Sequence, residues 1–297
     1  MAIEKAKRYV PILDKKYVTS SKTSVLDSTE EAKFIKEANT FLVATREFEG
    51  LSDYDRTNNK FAETGVNVTW EPYVIDYDRG KMIIVDAADN EESAGMSFLN
   101  IAGDFMDTRV TPELDQVRIA KYATKAGNKV SKAITDGETA YKEVRTCATR
   151  LANLNVPTFQ VVFFINETMN GMIEDLDTYK SKAALNKFPN RVVFPDGYFK
   201  TGITLGDGSN TLTGEDIQFI AIDKKAVIQH LTHVAPKIVT PEANNDGDAW
   251  KYGYRAVGIA DVYKNKVDYI YVCSAPAVEE TTPEVTPEET VPEEPQG

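Results

Sequence analysis

The chain has 297 residues, of which 42% are hydrophobic and 27% charged, and its formal net charge is -12. This composition is ordinary for a globular protein, and the length suits one large domain or two intimate subdomains. The first ten residues contain no apolar signal segment, and the longest apolar run, residues 161–165, is far too short to span a membrane. We therefore expect a protein made in the cytoplasm, without a membrane partner. Its two cysteines, Cys147 and Cys273, are too few for a disulfide framework and are expected to be buried.

The first 40 residues are polar and weakly patterned, which predicts an extended N-terminal arm. One short helix is expected within it, with Thr29 as the N-cap and Ala32, Ile35 and Ala38 along one side.

Residues 40–85 predict a long antiparallel hairpin. Polar turn residues fill positions 50–60, and the apolar side chains around Trp70 alternate with polar ones, as in a half-buried strand. We expect a further turn at Asp78-Arg79-Gly80, after which the chain returns. Such a hairpin has little core of its own, so it is expected to pack on another chain.

Residues 111–134 predict a single long helix. Thr111 is placed to be its N-cap, Pro112 suits the first helical position, and acidic residues fill the first turn. At 1.5 Å per residue the helix would be roughly 36 Å long. An earlier helical pattern begins at Ser93, and a second helix is expected over residues 136–153. The apolar face of the long helix comprises Ile119, Tyr122, Ala123, Ala126, Val130, Ala133 and Ile134.

The following segment predicts an α/β unit. The apolar run over residues 159–165 has the length of a strand, and Asn166 is expected to cap a helix that ends near Leu176. We expect loops over residues 177–214 and a strand over 217–222. A closing hairpin is predicted from alternation over residues 250–256, a turn at 264–266 and a return strand over 267–273.

The segment after Ala275 is acidic and rich in proline. It contains seven glutamates and no lysine or arginine, and it has few apolar residues to offset the entropy of ordering. We expect it to be disordered and extended. Two roles are open: a solubilising tail, or an electrostatic spacer or docking arm.

Residues with catalytic or metal-binding chemistry are few. His230 and His233 are spaced for a metal pair on a helix, but no further ligand lies at a suitable spacing. Residues 244–248 resemble the start of a calcium loop, but Gly253 stands where its bidentate glutamate belongs. The glycines near residue 206 match no phosphate-binding loop. We therefore predict no metal, no cofactor and no catalytic residue.

Four segments resemble a known family in their order and spacing. They are GLSDYDRTNNKF, VNVTWEPYVIDYDRGKMIIVDAADNEES, VTPELDQVRIAKYA and NNDGDAWKYGYRAVGIADVYKNKVDYIYV. Together they resemble the major capsid proteins of tailed bacteriophages with the Hong Kong 97-type fold, an α+β fold. The match covers about residues 40–273.

The resemblance implies the parts of that fold. They would be an N-terminal arm (1–40), an extended hairpin called the E-loop (41–85), a peripheral domain with a long spine helix (86–155 and 246–275) and an axial α/β domain (156–245), followed by the acidic tail (276–297). Because only about 40 residues precede the E-loop pattern, we expect any scaffold to be a separate protein.

The implied function is that of a major head protein. It would assemble into hexameric and pentameric capsomers of an icosahedral shell in the virion, enclosing double-stranded DNA without sequence specificity. Portal, scaffold and decoration proteins are the further partners expected. The alternatives are the shell of an encapsulin compartment and a soluble α/β enzyme that uses carboxylates. The residues assigned to a subunit interface are Gly50, Leu51, Asp53, Tyr54, Asp55, Arg56, Trp70 and Tyr73.

A basic stripe is predicted beside the apolar face of the long helix. Its members recur at spacings of three and four: Arg118, Lys121, Lys125, Lys129 and Lys132. Because the spine helix of the family lies toward the inside of the shell, contact with DNA phosphate is one hypothesis. The alternative is a solvated face whose charges pair with acidic residues of the same or adjacent subunits.

Overall fold

The computed structural model describes most of the chain from residue 21 to residue 276. The described ranges are 21–27, 35–37, 40–47, 49–54, 56–58, 60–61, 65, 67–86, 103–234 and 237–276. The predictions for the first 20 residues, for residues 93–102 of the helical pattern after Ser93 and for the acidic tail lie outside them, whereas residues 103–105 of that pattern are helical.

The described chain contains both helices and sheets, which confirms the α+β class. The strands are β1 (Ile35–Glu37), β2 (Thr40–Glu47), β3 (Asn67–Val74), β4 (Tyr77–Asp86), β5 (Asn128–Ser131), β6 (Val161–Asn166), β7 (Asn190–Phe194), β8 (Lys200–Leu205), β9 (Asn210–Asp223), β10 (Val227–Val234), β11 (Lys237–Val239), β12 (Ala249–Val262) and β13 (Ile270–Ser274). The α-helices are α1 (Thr111–Lys125), α2 (Gly137–Asn153), α3 (Glu167–Asp175) and α4 (Tyr179–Leu185). A π-helix (Met106–Val110) leads directly into α1.

A six-stranded sheet forms the larger body, in the order β5-β13-β9-β6-β7, with β8 paired to β9. The apolar run of β6 lies in its middle, buried on both faces. Phe163 and Ile165 pack with α2, α3 and α4, whereas Val162 and Phe164 pack on the other face with α1. Side chains alternate across a strand, so one run supplies both cores. The predicted strand and the Asn166 cap, which accepts a hydrogen bond from the Met169 amide, are confirmed.

The predicted boundary between peripheral and axial domains falls inside one of these cores. Helix α2 and strand β13 were assigned to the peripheral domain, yet Leu151 and Cys273 share a cluster with Phe163. The prediction of loops over residues 177–214 was also wrong, since this stretch contains α4, β7 and β8. These elements are short, and α4 begins at a capping box formed by Thr178 and Ser181, a signal that we did not recognise.

A second sheet is centred on β12. Strands β10 and β11 pair with one edge of β12 and β4 with the other. The predicted closing hairpin was therefore wrong, because β13 belongs to the six-stranded sheet and is joined to β12 by a 3-10 segment, Lys264–Tyr269. All five residues of β13 are buried. Such a strand needs neighbours on both sides, and it finds them in β5 and β9.

The predicted long helix begins at Thr111 as expected, but it is shorter than predicted and its N-cap is a different residue. It ends at Lys125, and the chain then becomes extended and forms β5, parallel to β13. The Gly127 amide donates to the Val267 carbonyl oxygen, and the glycine lies too close to that backbone to carry a side chain. At its start Thr111 is not an N-cap, because the π-helix already precedes it. Pro112 lacks an N–H group and crowds the preceding turn, which the wider π-helix accommodates.

The short helix predicted after Thr29 was wrong at Ile35, because Ile35 lies in strand β1.

The turn expected at Asp78-Arg79-Gly80 does not exist. These residues lie inside β4, which pairs with β12 from Tyr77 to Asp86. Gly80 is required there for close packing, since a Cβ atom on it would lie 2.7 Å from the Tyr254 carbonyl oxygen. The paired strands also join Asp78 to Arg255 in an ion pair.

Replacing Gly80 with alanine is therefore expected to destabilise the subunit by roughly 1–3 kcal/mol, because the backbone of β12 must move. The matched change is Gly171→Ala in α3, where an added Cβ meets no atom within 4 Å. It should stabilise by about 0.5–1 kcal/mol. Urea unfolding of the two variants measures both effects, and equal midpoints would contradict the role given to Gly80.

Candidate assembly surface

Strands β2 and β3 form a hairpin that extends from the second sheet. They pair antiparallel in register from Thr40 opposite Val74 to Glu47 opposite Asn67. The hairpin covers residues 40–74, and β4 pairs with β12. The assignment of residues 41–85 to an E-loop stays a prediction.

One face of this hairpin is anchored at its root. Val43 and Tyr73 are buried in a small cluster with Ile228 of β10 and Ile259 of β12. The Tyr73 hydroxyl donates to a Glu71 carboxylate oxygen at 2.9 Å. Burial raises the pKa of Tyr73 well above its usual value, and the negative charge of Glu71 raises it further. Tyr73, which we assigned to a subunit interface, therefore has a clear role within its own subunit.

The opposite face of the hairpin is exposed and apolar. Val68, Trp70 and Val74 alternate along β3 with more than two fifths of each side chain exposed, and Ala44 lies opposite Trp70. Leu51, in the loop of the hairpin, is fully exposed. Among the described residues, eight of the thirteen exposed large hydrophobic side chains fall between positions 51 and 84: Leu51, Tyr54, Phe61, Val68, Trp70, Val74, Met82 and Ile84. A concentration of this kind is typical of a protein–protein contact.

The other predicted interface residues lie in the loop of this hairpin. Gly50, Asp53 and Arg56 are exposed, while Asp55 lies outside the described residues. The rings of Tyr54 and Phe61 contact each other, with centroids 5.0 Å apart. The structure thus brings most of the predicted residues onto one projecting element, but their contact with a second subunit stays a prediction.

Residues 21–27 of the predicted arm are held against α1 by Asp115. This buried carboxylate accepts from the Ser21 hydroxyl (2.7 Å), the Lys22 amide (2.8 Å), and both the amide (3.2 Å) and hydroxyl (2.5 Å) of Thr23. Leu26 adds an apolar anchor in the core beside α1. No local pattern predicted this contact, because its partners lie about ninety positions apart.

A second buried group extends the clamp. Gln229 of β10 donates to the Thr23 carbonyl oxygen (2.8 Å) and to Asp27 (2.7 Å), and it accepts from the Tyr122 hydroxyl (2.7 Å). Arg118 donates to the Thr23 hydroxyl at 3.0 Å and is only 3% exposed. We name the set formed by Asp115, Arg118, Gln229 and residues 21–27 the arm clamp.

The basic stripe does not form one face of a helix. Arg118 is buried in the arm clamp, and Lys129 and Lys132 lie in or after β5 rather than on α1. Lys121 pairs with Asp76, Lys125 with Asp261 (2.6 Å) and Lys132 with Glu143 (3.5 Å). Lys129 donates to the Thr124 carbonyl oxygen. This arrangement favours the alternative of charges paired within the subunit, while DNA contact by the four lysines stays a prediction.

A cleft of about 520 Å³ lies between β4, the π-helix and the loop that joins β8 to β9. Its central carboxylate, Glu113, accepts from Arg79 (2.8 Å), Tyr77 (3.1 Å) and Asn210 (2.7 Å). Burial and the adjacent Glu113 raise the pKa of Tyr77 far above its usual value. Because Glu113 accepts from three donors, it holds β4, α1 and the start of β9 together. This structural role is sufficient to explain the polar residues of the cleft.

The residues considered for chemistry are also placed. His230 and His233 lie on strand β10, not on a helix. Their spacing of three residues therefore does not place them on one face of a helix, as a metal pair would require. No group of three or more His, Cys, Asp or Glu in the described part of the chain is placed to hold a metal ion. Cys147 on α2 and Cys273 on β13 are free and buried, as expected.

The buried thiols predict a pH dependence of stability. Burial raises the pKa of Cys273 to about 12 and that of Cys147 well above its ordinary value. Because an unfolded thiol loses its proton near pH 8.5 whereas the folded one retains it, stability should fall as pH rises from about 8.5. Urea unfolding at about pH 7, 8 and 9, where an unfolded tyrosine with a pKa of about 10 remains mostly protonated, tests this. In the double variant Cys147→Ala/Cys273→Ala, the free energy of unfolding should fall much less as pH rises. If it falls as steeply as in the wild type, the buried thiols are not the cause of the pH dependence.

Comparison with known proteins identifies the fold. No protein-family model and no curated protein matches the sequence. Solved structures do match. A structure from Gordonia phage Cozz has 13% identity and a TM-score of 0.59, with 87% of each chain covered. The capsid structure of cyanophage P-SCSP1u has 9% identity and a TM-score of 0.55, covering 82% of this chain and 85% of its own. The virus-like particle from Pyrococcus furiosus has 13% identity and a TM-score of 0.58, covering 90% of this chain and 98% of its own.

The chain therefore shares the fold of solved capsid and virus-like-particle structures. More narrowly, this is the Hong Kong 97-type fold of tailed-phage capsid proteins, as the sequence resemblance predicted. The described residues include no helix long and apolar enough to cross a membrane.

Proposed function

We propose that this chain is the major capsid protein of a tailed bacteriophage, which assembles into the icosahedral shell around double-stranded DNA. The observation that carries the proposal is the hairpin of residues 40–74, whose exposed apolar face projects from a subunit with a phage capsid fold. A face of this kind is stabilised only when a second copy covers it. The role is structural, without catalysis.

The parts of the fold follow from this proposal. Residues 1–40 are the arm, held at 21–27 by the arm clamp, and residues 40–74 are the E-loop. The second sheet with α1 is the peripheral region, and the six-stranded sheet with α2, α3 and α4 is the axial region. The partners are further copies of the chain in hexameric and pentameric capsomers, a portal protein, a separate scaffold protein and decoration proteins. The protein would be made in the host cytoplasm and reside in the virion.

Electron microscopy of the purified protein tests the proposal. Negative staining should reveal closed shells or capsomer rings, because many weak symmetric contacts add up in an assembly. A monodisperse monomer under all conditions, with or without a scaffold protein, would contradict it.

An encapsulin-like compartment is the second candidate, favoured by the likeness to the virus-like particle from Pyrococcus furiosus. The contents of the particles separate the two functions. Particles that protect double-stranded DNA from nuclease support a phage head, whereas particles that retain a folded protein cargo and no DNA support a compartment.

A further inference from the structure

The outward face of α2 carries a basic groove. The residues that line it are all exposed: Lys142, Arg145, Thr146, Thr149, Arg150 and Asn153. This is a local concentration of positive charge on a chain whose net charge is -12.

Two cations of this groove have no carboxylate partner among the residues that the structure describes. Lys142 pairs with Glu138 one turn earlier, at 2.7 Å. Arg145 and Arg150 form no ion pair with the described part of the chain. The threonine hydroxyls donate within the helix, to the Lys142 and Arg145 carbonyl oxygens. Two planar guanidinium groups are thus available to a carboxylate or phosphate ligand.

We propose that the basic groove of α2 binds the acidic segment of the same chain, residues 277–297. The first argument is charge. The segment contains seven glutamates and no cation: Glu279, Glu280, Glu284, Glu288, Glu289, Glu293 and Glu294. It belongs to the longest stretch of the sequence without a cation, and the groove is lined by cations and by no carboxylate.

The second argument is position. Strand β13 ends at Ser274, whose carbonyl oxygen accepts from the Lys132 amide at 2.8 Å. The Lys132 side chain pairs with Glu143 at 3.5 Å, and Glu143 is next to Lys142 in α2. The end of β13 therefore lies about one lysine side chain from the buried side of α2, and the Ala275 amide then donates to the Asp216 carbonyl oxygen at 2.8 Å. The acidic segment must pass around the helix to reach the groove.

The third argument is reach. The groove runs along α2 from residue 142 to residue 153, which is about 17 Å at 1.5 Å per residue. Twenty-one extended residues reach roughly 65 Å. Because the segment is tethered at one end, its effective concentration at the groove is in the millimolar range, so weak ion pairs suffice. This proposal is independent of the function proposed above.

Zero-length cross-linking of the full chain tests the contact. A carbodiimide joins glutamate carboxylates to lysine amines, and mass spectrometry should find the acidic segment joined to Lys142 in preference to the exposed Lys224 and Lys225. The variant Arg145→Gln/Arg150→Gln should lower that yield about fivefold at low salt, the loss expected for two exposed ion pairs. The matched variant Lys224→Gln/Lys225→Gln should leave it unchanged. Equal yields in the two variants would overturn the proposal.

Two further outcomes are decisive. In a mixture of light and nitrogen-15-labelled chains, cross-links within one chain support the proposal, whereas cross-links only between chains overturn it. Full-length protein with all seven glutamates changed to glutamine should bind a heparin column more tightly, and Arg145→Gln/Arg150→Gln should remove that gain. If the seven changes leave heparin binding unaltered while duplex DNA protects Lys142 from modification, the groove belongs to a nucleic-acid partner and the proposal is wrong.

Discussion

The double substitution Val68→Ser/Trp70→Ser should leave the subunit folded and prevent the formation of shells. Both side chains lie on the exposed face of the hairpin and contribute little to the subunit's own core. If a neighbouring copy covers the exposed part of Trp70, each contact loses about 2 kcal/mol of apolar burial on substitution. The concentration needed for assembly should rise by more than about tenfold, since 1.4 kcal/mol corresponds to a factor of ten.

Sedimentation velocity and electron microscopy measure the assembly, and far-UV circular dichroism measures the fold. The control is Tyr179→Ser, which removes an even more exposed aromatic side chain at the start of α4. Tyr179→Ser should assemble normally. Closed shells from the double variant at the wild-type concentration would contradict the role of the hairpin.

The second large effect is expected at the arm clamp. Asp115→Asn should destabilise the subunit by about 3 kcal/mol, because an amide cannot accept from all the donors that the buried carboxylate now satisfies. For a chain of this size the melting temperature should fall by about 6–12 °C. Hydrogen exchange should rise first at residues 23–27, since the segment loses most of its polar contacts to α1.

The matched control is Asp248→Asn, which removes the same charge at an exposed position. Its melting temperature should stay within about 1 °C of the wild type. If Asp115→Asn and Asp248→Asn melt alike, the arm is not held by Asp115. If exchange rises across the whole sheet before it rises at residues 23–27, the carboxylate stabilises the body rather than the arm.

The sequence by itself predicted the elements whose signals are local. The run of β6 is apolar at every position, so it was recognisable as a buried strand, and Asn166 lies where a cap is needed. Helix α2 was predicted nearly to its ends, with Asp136 accepting from the Thr139 amide as its N-cap. The hairpin was also recognisable. Its strand around Trp70 alternates apolar and polar residues, but the hairpin has too few apolar side chains to form a core of its own, which predicts packing on another chain.

Only the tertiary structure decided the remaining features. Gly80 has the local signature of a turn, yet it lies in a strand because the backbone of β12 approaches it closely. The spacing of three and four that defined the basic stripe continues past Lys125, but parallel pairing with β13 converts that stretch into β5. Arg118 has the sequence context of a surface cation and is buried, because Thr23 and Asp27 reach it across more than ninety positions. Local signals report backbone preference and periodicity. Pairing between distant strands and burial of a charge depend on contacts between residues far apart in sequence, so they are determined only when the whole chain packs.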